Sequence, residues 1–234
     1  MSVEPISRDT AVDQLERRLR DDILEGRYAV GTLLPAEREL AARYGVNRNT
    51  LKHAFVRLVQ AGLVETRHGV GTRVRDFLRL GSADLLPAMV AAYPGWMDEV
   101  FEARQSVGAL IAERAATVSS AKDHEALRRQ VEIVGAARSV DEAQLADAEF
   151  HRVLAVASHN RVYTLLTNSL LNAYLPVRAL LADPFRDAAS AAARLSPLAE
   201  AVCVHDASAA RAASESYMTE TARMMSAALG SRRP

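Results

Sequence analysis

After nine loose, polar residues, apolar side chains begin to recur at helical spacing. Val12, Leu15, Leu19, Ile23 and Leu24 share one face, which predicts an amphipathic helix from Thr10 to about Glu25, capped by Asp9 or Thr10 and closed by Gly26. Ala36, Leu40, Ala41 and Tyr44 make a second stripe behind Pro35, whose fixed φ suits a first helical turn. Gly45 ends that helix by accepting a left-handed backbone, and Asn47 offers a side-chain oxygen to cap the next. The third helix turns Leu51, Ala54, Phe55, Leu58 and Val59 inward and Arg48, Asn49, Lys52, His53 and Arg57 outward. Two short helices joined by a tight glycine turn predict a helix-turn-helix, whose second helix can lie in a DNA major groove. Past Gly62 the period drops to two. Leu63-Val64-Glu65-Thr66 and Thr72-Arg73-Val74-Arg75 alternate as half-buried strands do, around a tip of Arg67-His68-Gly69-Val70-Gly71. Residues 1–76 thus read as a winged helix-turn-helix.

Residues 77–83 read as a linker, one apolar enough at Phe77, Leu78 and Leu80 to dock on a neighbouring domain. From residue 84 to 234 the pattern is helical and holds no convincing strand. Helices are expected at Ser82 or Asp84 to Ala92, 96–119, 122–137, 141–158, 160–181, 186–204 and 207–229, with a turn at Tyr93-Pro94-Gly95 and a frayed tail from Gly230. Pro176 and Pro197 should kink the helices that contain them. The segment 160–181 is apolar nearly all round (Val162, Leu165, Leu166, Leu170, Leu171, Leu175), which places it centrally or at an interface. The fold class is mainly α: a winged helix-turn-helix with a small β-hairpin wing, then an all-α bundle of about seven helices.

Charge sharpens the first of these readings. The chain carries 29 basic and 29 acidic side chains, yet residues 34–75 hold eight basic against three acidic ones. A local excess of five positive charges around a reading helix is the electrostatic footprint of a DNA binder. A tri-helical core used for protein contacts shares the helix spacing, and salt-dependent DNA binding separates the two. The glycine-rich tip, with its bare backbone, suits close approach to phosphates or a minor groove.

Other features narrow the class. Cys203 is the single cysteine, so no disulfide can form within the chain, which fits a reducing cytoplasm; a small core role suits it better than redox sensing. No apolar run approaches the ~18 residues of a membrane span, and the start Met-Ser-Val-Glu-Pro lacks a signal-peptide pattern. There is no G-x-S-x-G elbow, P-loop or Rossmann glycine fingerprint, so no enzyme is expected.

In the helical half the sharpest feature is Asp147-Ala148-Glu149-Phe150-His151. Asp147 and His151 share a helix face and offer two ligands to a divalent metal, or a hydrogen-bonded polar pair in a cleft. Two ligands without a third, or a base, do not make a metallohydrolase. Arg104 suits a ligand carboxylate or phosphate, or a structural ion pair. Tyr163, Asn168, Asn172 and Tyr174 are polar groups on the most apolar helix and are more often core or interface groups than ligand contacts. His124 and His159 are expected at the surface.

The runs PAEREL, NRNTLKHAFVRL and AGLVETRHGVGTRV, within residues 10–76, resemble the amino-terminal domain of the GntR family of bacterial transcription regulators. The remainder of the chain, beyond residue 76, resembles the family's FadR-like branch, which carries an all-helical ligand-sensing domain. The resemblance supports Arg38, Arg48, Asn49, Thr50 and Lys52 as base and phosphate readers, with His68 and Gly69 at the wing. Lys52 stands where the family usually has Arg, and His53 where it often has Glu, so operator preference at that base is expected to differ. The D-x-x-F-H pattern of Asp147 to His151 resembles a metal half-site of such sensing domains. Two further histidines would complete it, but the matching positions fall near Leu195 and Tyr217, and Gly108 stands where a Glu is frequent. A divalent metal is therefore not expected. DFLRLGSADLL, ASHNRVYTLLTN and AVCVHD resemble the acyl-CoA-responsive type. The resemblance implies a cytoplasmic homodimer on a palindromic double-stranded DNA operator, with an acyl-CoA or organic-acid effector near Arg104, Asp147, His151, Asn168 and Tyr217. The competing reading is a metal- or metabolite-binding helical protein whose basic head makes protein contacts.

Overall fold

The structure, a computed structural model, describes residues 10–92 and 96–230. The chain divides into two compact units, residues 1–93 and 94–234. The fold is mainly α with one small antiparallel sheet, as the patterning predicts. The predicted loose start, the turn at 93–95 and most of the tail lie outside the described residues.

In the first unit α1 (Ala11–Leu24) starts at Thr10, whose hydroxyl accepts from the Asp13 amide while the Asp13 carboxylate accepts from the Thr10 amide. This reciprocal box satisfies two of the amides a helix start leaves open. The second helix, α2 (Glu37–Arg43), begins at Glu37 and not at Pro35. Pro35 lies outside it, ahead of Ala36, which caps with no side-chain bond. Gly45 has φ +64° and ends the turn, and Asn47 caps α3 (Arg48–Gln60) by accepting from the Thr50 amide at 2.8 Å. Leu19, Leu40, Leu51 and Leu58 are fully buried where α1, α2 and α3 meet. Val59, expected inward, is 40% exposed, because the inward arc of α3 is already filled by Leu51, Ala54, Phe55 and Leu58.

The wing pairs β1 (Val64–Arg67) with β2 (Gly71–Val74) in antiparallel register, Val64 opposite Val74 and Arg67 opposite Gly71. Each strand is shifted by one residue from the alternation reading. His68-Gly69-Val70 form the turn, with Gly69 at φ +75°. A bridge from Leu33 to Arg73 adds the connector before α2 to the far edge of β2.

Residues 77–83 are not an extended linker. Asp76 caps the short α4 (Phe77–Leu80), Ser82 caps a 3-10 turn (Ala83–Leu85), and α5 (Leu86–Ala92) packs on α1. The backbone of Leu80 and Gly81 lies against Gly62: a Cβ there would sit 3.1 Å from the Leu80 carbonyl oxygen. The first helix expected for the bundle therefore belongs to the DNA-binding unit, and the division falls between residues 93 and 94.

Among the described residues the second unit has six α-helices: α6 (Trp96–Val118), α7 (Ala121–Gly135), α8 (Val140–Ala157), α9 (Arg161–Tyr174), α10 (Ala188–Cys203) and α11 (Ala207–Gly230). The pair α6 and α11 is the most extensively packed, and small side chains let it close. A Cβ on Gly108 would lie 3.2 Å from the Met218 methyl and 3.3 Å from the Ser214 hydroxyl. The helix expected over 160–181 stops at Tyr174, and Leu175–Leu181 continues as 3-10 helix. Pro176 has no amide to continue the α ladder, so it ends the helix instead of kinking it. Buried Gln144 holds this stretch, its amide nitrogen 2.9 Å from the Tyr174 hydroxyl and 2.8 Å from the Arg178 carbonyl. Pro197 lies inside α10, which runs through it.

Gly62 carries two demands at once, a φ of +76° and a neighbouring backbone in contact. Gly62→Ala should lower the stability of the first unit by on the order of 2 kcal/mol. Amide exchange would then quicken across α3 and the hairpin while that of residues 96–230 stays unchanged; equal exchange in the two proteins would refute the packed role of residues 77–81.

Candidate nucleic-acid interface and effector pocket

The first surface is the outer face of α3 with the first turn of α2. Arg38, Arg48, Asn49 and Lys52 are all exposed. Thr50 is half-buried, and its hydroxyl is turned to the Asn47 side chain at 3.2 Å, so its first role is in the cap. His68 and Gly69 stand exposed at the hairpin tip. Several basic side chains of this unit are engaged. Arg57 pairs with Asp13, Arg43 with Glu39, Arg67 with Glu65, and Arg73 donates to the Gly31 carbonyl. Among the described residues Arg38, Arg48 and Lys52 have neither an ion pair nor a hydrogen-bond partner. Cations left without counter-charge on one convex face are what a phosphate backbone neutralises.

The second site lies inside the bundle. On α8, Asp147 and His151 are 2% and 5% exposed, four residues apart, with 3.8 Å between the Asp147 carboxylate and His151 Nε2. Tyr217 reaches in from α11, and its hydroxyl donates to the Asp147 carboxylate. Arg104 on α6 is buried, with its guanidinium 5.5 Å from the centre of the Tyr174 ring. It makes no hydrogen bond or ion pair among the described residues. Arg104, Gly108, His151, Leu154, Thr167, Leu171 and Met218 line a small cavity of about 30 Å³.

Electrostatics follow from that burial. Loss of water raises the Asp147 carboxyl to about 6, against the lowering effects of the Tyr217 hydrogen bond and the Arg104 and Arg194 charges. Burial, then the Arg104 charge, pushes His151 well below its usual value, so the ring is neutral. Its Nε2 is buried and has no partner. The hydroxyl of Ser214, one turn before Tyr217 on α11, is buried and unpartnered as well, and Thr221, one turn after it, is buried beside the Tyr217 phenol.

A divalent metal does not fit this donor set. Leu195 is a fully buried hydrocarbon. The Tyr217 phenol is held well above its usual value by burial and by Asp147, so it is a donor to the carboxylate and not a phenolate ligand. Two ligands remain, beside a guanidinium that would repel a cation.

Four of the five expected effector residues, Arg104, Asp147, His151 and Tyr217, come together. Asn168 does not: its side-chain oxygen accepts from Arg152 at 3.3 Å. Thr167, Met218, Ser214 and Thr221 were not singled out by sequence reasoning; spacing of three and four from Tyr217 along α11 is the signal that finds two of them, Ser214 and Thr221, and Met218 adjoins Tyr217. Cys203 is half-buried, its thiol raised by burial, which disfavours the reactive thiolate. His124 is not a free surface group, since its Nε2 lies 2.9 Å from the Ser119 hydroxyl. His159 is exposed beside Asp123 at 3.0 Å.

Comparison with known proteins agrees with both surfaces. Residues 11–74 match the family described as bacterial regulatory proteins, gntR family, and residues 99–220 match the FCD domain. An uncharacterised HTH-type transcriptional regulator of Mycobacterium tuberculosis is 34% identical over 223 residues, 95% of this chain and 92% of that one. A fatty acid metabolism regulator protein of Serratia proteamaculans is 30% identical over 166 residues, 69% of this chain and 68% of that one. In fold, the chain is similar to a solved protein described as controlling the Listeria monocytogenes agr system, with a TM-score of 0.61 at 15% identity over 94% of this chain and 99% of that one. The relatives are regulators, not enzymes. The chain belongs to the GntR family of bacterial transcription regulators, with an FCD domain as its second part.

Proposed function

We propose that this regulator is a cytoplasmic repressor that binds a palindromic operator as a homodimer and releases it when a small organic acid enters the bundle. The observation that carries the effector reading is Arg104: a buried guanidinium without a hydrogen-bonded partner, on a cavity that also receives the unpartnered Nε2 of His151. A carboxylate supplies the fork geometry that arginine takes best. The cavity, about 30 Å³, has room for about one water and lies far below the ~300–1,000 Å³ of small-molecule sites, so an acid of any size enters only as the bundle opens around it. The name of the Serratia relative favours the acyl-CoA reading instead. Binding at the pocket would shift the balance between DNA-binding and released states of the dimer.

Native mass spectrometry of protein purified from its own cytoplasm, with metal analysis, tests the effector. A small carboxylic acid that co-purifies with the wild type and is lost from Arg104→Gln is the expected result. An acyl-CoA mass would replace the organic acid, and stoichiometric metal would overturn both.

DNA contacts are tested on a duplex selected from a random-sequence library. Arg48→Ala should cost about 1–3 kcal/mol and, where Arg48 reads a base, relax preference there. Arg57→Ala should cost little, because Arg57 is already held by Asp13. Binding should also fall steeply with added salt. Equal losses for the two arginines would refute the division into paired and free cations.

Asp147 gives a pH signature. Its folded-state value, about 6, is raised above the ordinary 3.8, so the folded chain keeps a proton that the unfolded chain has released. Ionising it therefore costs stability that is absent below pH ~4, grows through pH ~6 and is complete above, on the order of 3 kcal/mol. The melting temperature of Asp147→Asn, minus that of the wild type, should rise as pH is raised from ~4 to ~7. A difference that stays flat would mean that Asp147 ionises like an exposed carboxylate.

A further inference from the structure

The helix α9 has an exposed face that water does not explain. Val162 is 61% exposed, Leu165 66% and Leu166 40%, and with Ser169 they follow the three-and-four spacing of one helix face. Beside it stands Val156 of α8, 55% exposed. Val156 and Leu165 line one shallow groove together. From Val162 to Tyr174 the helix carries no charged side chain, in a protein that is 25% charged. A solvent face carries charge; a helix apolar on its outer side is covered by something.

We propose that this crest is the self-association face of the second unit, with α9 packed against α9 of a second copy about a two-fold axis. The proposal rests on the dimeric reading above and says where the dimer is held. Area supports a second copy. With roughly 150–180 Å² for a fully exposed Val or Leu, Val156, Val162, Leu165 and Leu166 expose roughly 350 Å² of apolar surface, within the ~300–600 Å² of a monomer's largest patch, which is often functional. A standard interface takes about 800 Å² from each partner, of which ~56–58% is apolar, or about 450 Å². Charge supports it too. A two-fold contact sets the same patch against itself, so any charge on the crest would meet its like, and the crest has none. Ser169, at the middle of the helix, is small enough to let two backbones approach. Arg161, at the amino-terminal end, lines the same groove as Val156 and Leu165, and antiparallel pairing sets it toward the far end of the partner helix and away from its like.

Sedimentation of the full chain at tens of micromolar tests this. The wild type is expected at twice the 25.4 kDa chain mass. Leu165→Asp, which alters a side chain already exposed to water, should sediment as a monomer, with self-association weakened at least a hundredfold and helical circular dichroism unchanged. A second variant does not depend on that one folding: Ser169→Cys, made with Cys203→Ser, should form a disulfide-linked dimer on mild oxidation, whereas Ser190→Cys in the same background should not. A Leu165→Asp protein that stays dimeric, or a dimer that Ser169→Cys fails to cross-link, would place the interface elsewhere and leave the dimeric reading standing. A wild-type monomer at these concentrations would overturn both.

Discussion

A guanidinium taken out of water must be compensated, and the second unit is arranged around that demand. Arg104 is buried on α6 without an ion pair of its own, and what offsets its charge is the ring of Tyr174 and the field of Asp147. Asp147 is itself buried, and ionises in place only because Tyr217 donates to it. Tyr217 reaches Asp147 because α11 lies close on α6, which needs Gly108 where any Cβ would press on Met218 and Ser214. The arrangement is a chain of dependencies: small side chains permit the approach, the approach delivers the phenol, the phenol holds the carboxylate, and the carboxylate makes the buried cation tolerable. What it leaves unsatisfied is His151 Nε2 and the free edge of the guanidinium, and both face the cavity.

The reading unit is governed by a different rule. Its charges are on the surface, where single ion pairs contribute little to stability. Their effect is to decide which cations are available. Arg57 and Arg43 lie on the same helices as Arg48 and Arg38, and sequence alone gives all four the same description. Asp13 and Glu39 then occupy two of them. An acidic residue 44 positions away in the chain is not legible from the helix that carries Arg57. Periodicity identified the helix-turn-helix and its wing, because glycine turns and a change of period are local signals. It misjudged Val59 and Pro35 by a few degrees of helix face and one or two residues of helix start.

The segment after the wing shows the limit of local reading more plainly. Phe77 to Ser82 has the composition of a short connector, and its apolar side chains allow docking in either direction. Two contacts decide the matter, α5 on α1 and the Leu80 backbone on Gly62, and both are long-range. Similarly, the apolar run over 160–181 was legible as a buried or interfacial helix, but only the packing separates those outcomes. Thr167, Leu171, Ala173 and Tyr174 turn inward, and Val162, Leu165 and Leu166 are left outside. Of the pocket, the four residues with distinctive chemistry could be named in advance. The hydroxyls of Ser214 and Thr221 were not, since their spacing of three and four from Tyr217 marks them only once Tyr217 itself is placed beside Asp147.

A common criterion connects the three surfaces. In a folded chain most charges are solvated or paired, most buried polar atoms are hydrogen-bonded, and most large apolar patches are covered. Arg38, Arg48 and Lys52 are solvated but face no counter-charge on a unit built to present them together. Arg104 and His151 are buried and short of partners. The α9 crest is apolar and open. Each departure specifies the chemistry that would resolve it: a polyanion for the first, a small anion for the second, an uncharged surface like its own for the third. Isolated departures occur elsewhere, as at the exposed Leu78 and Val204 and the unpartnered Nε of Arg75, and single groups of that kind are ordinary. What distinguishes the three surfaces is that several departures of one chemical kind fall close together, while the helix starts of α1, α3, α7, α8, α9 and α10 are each capped by a side chain.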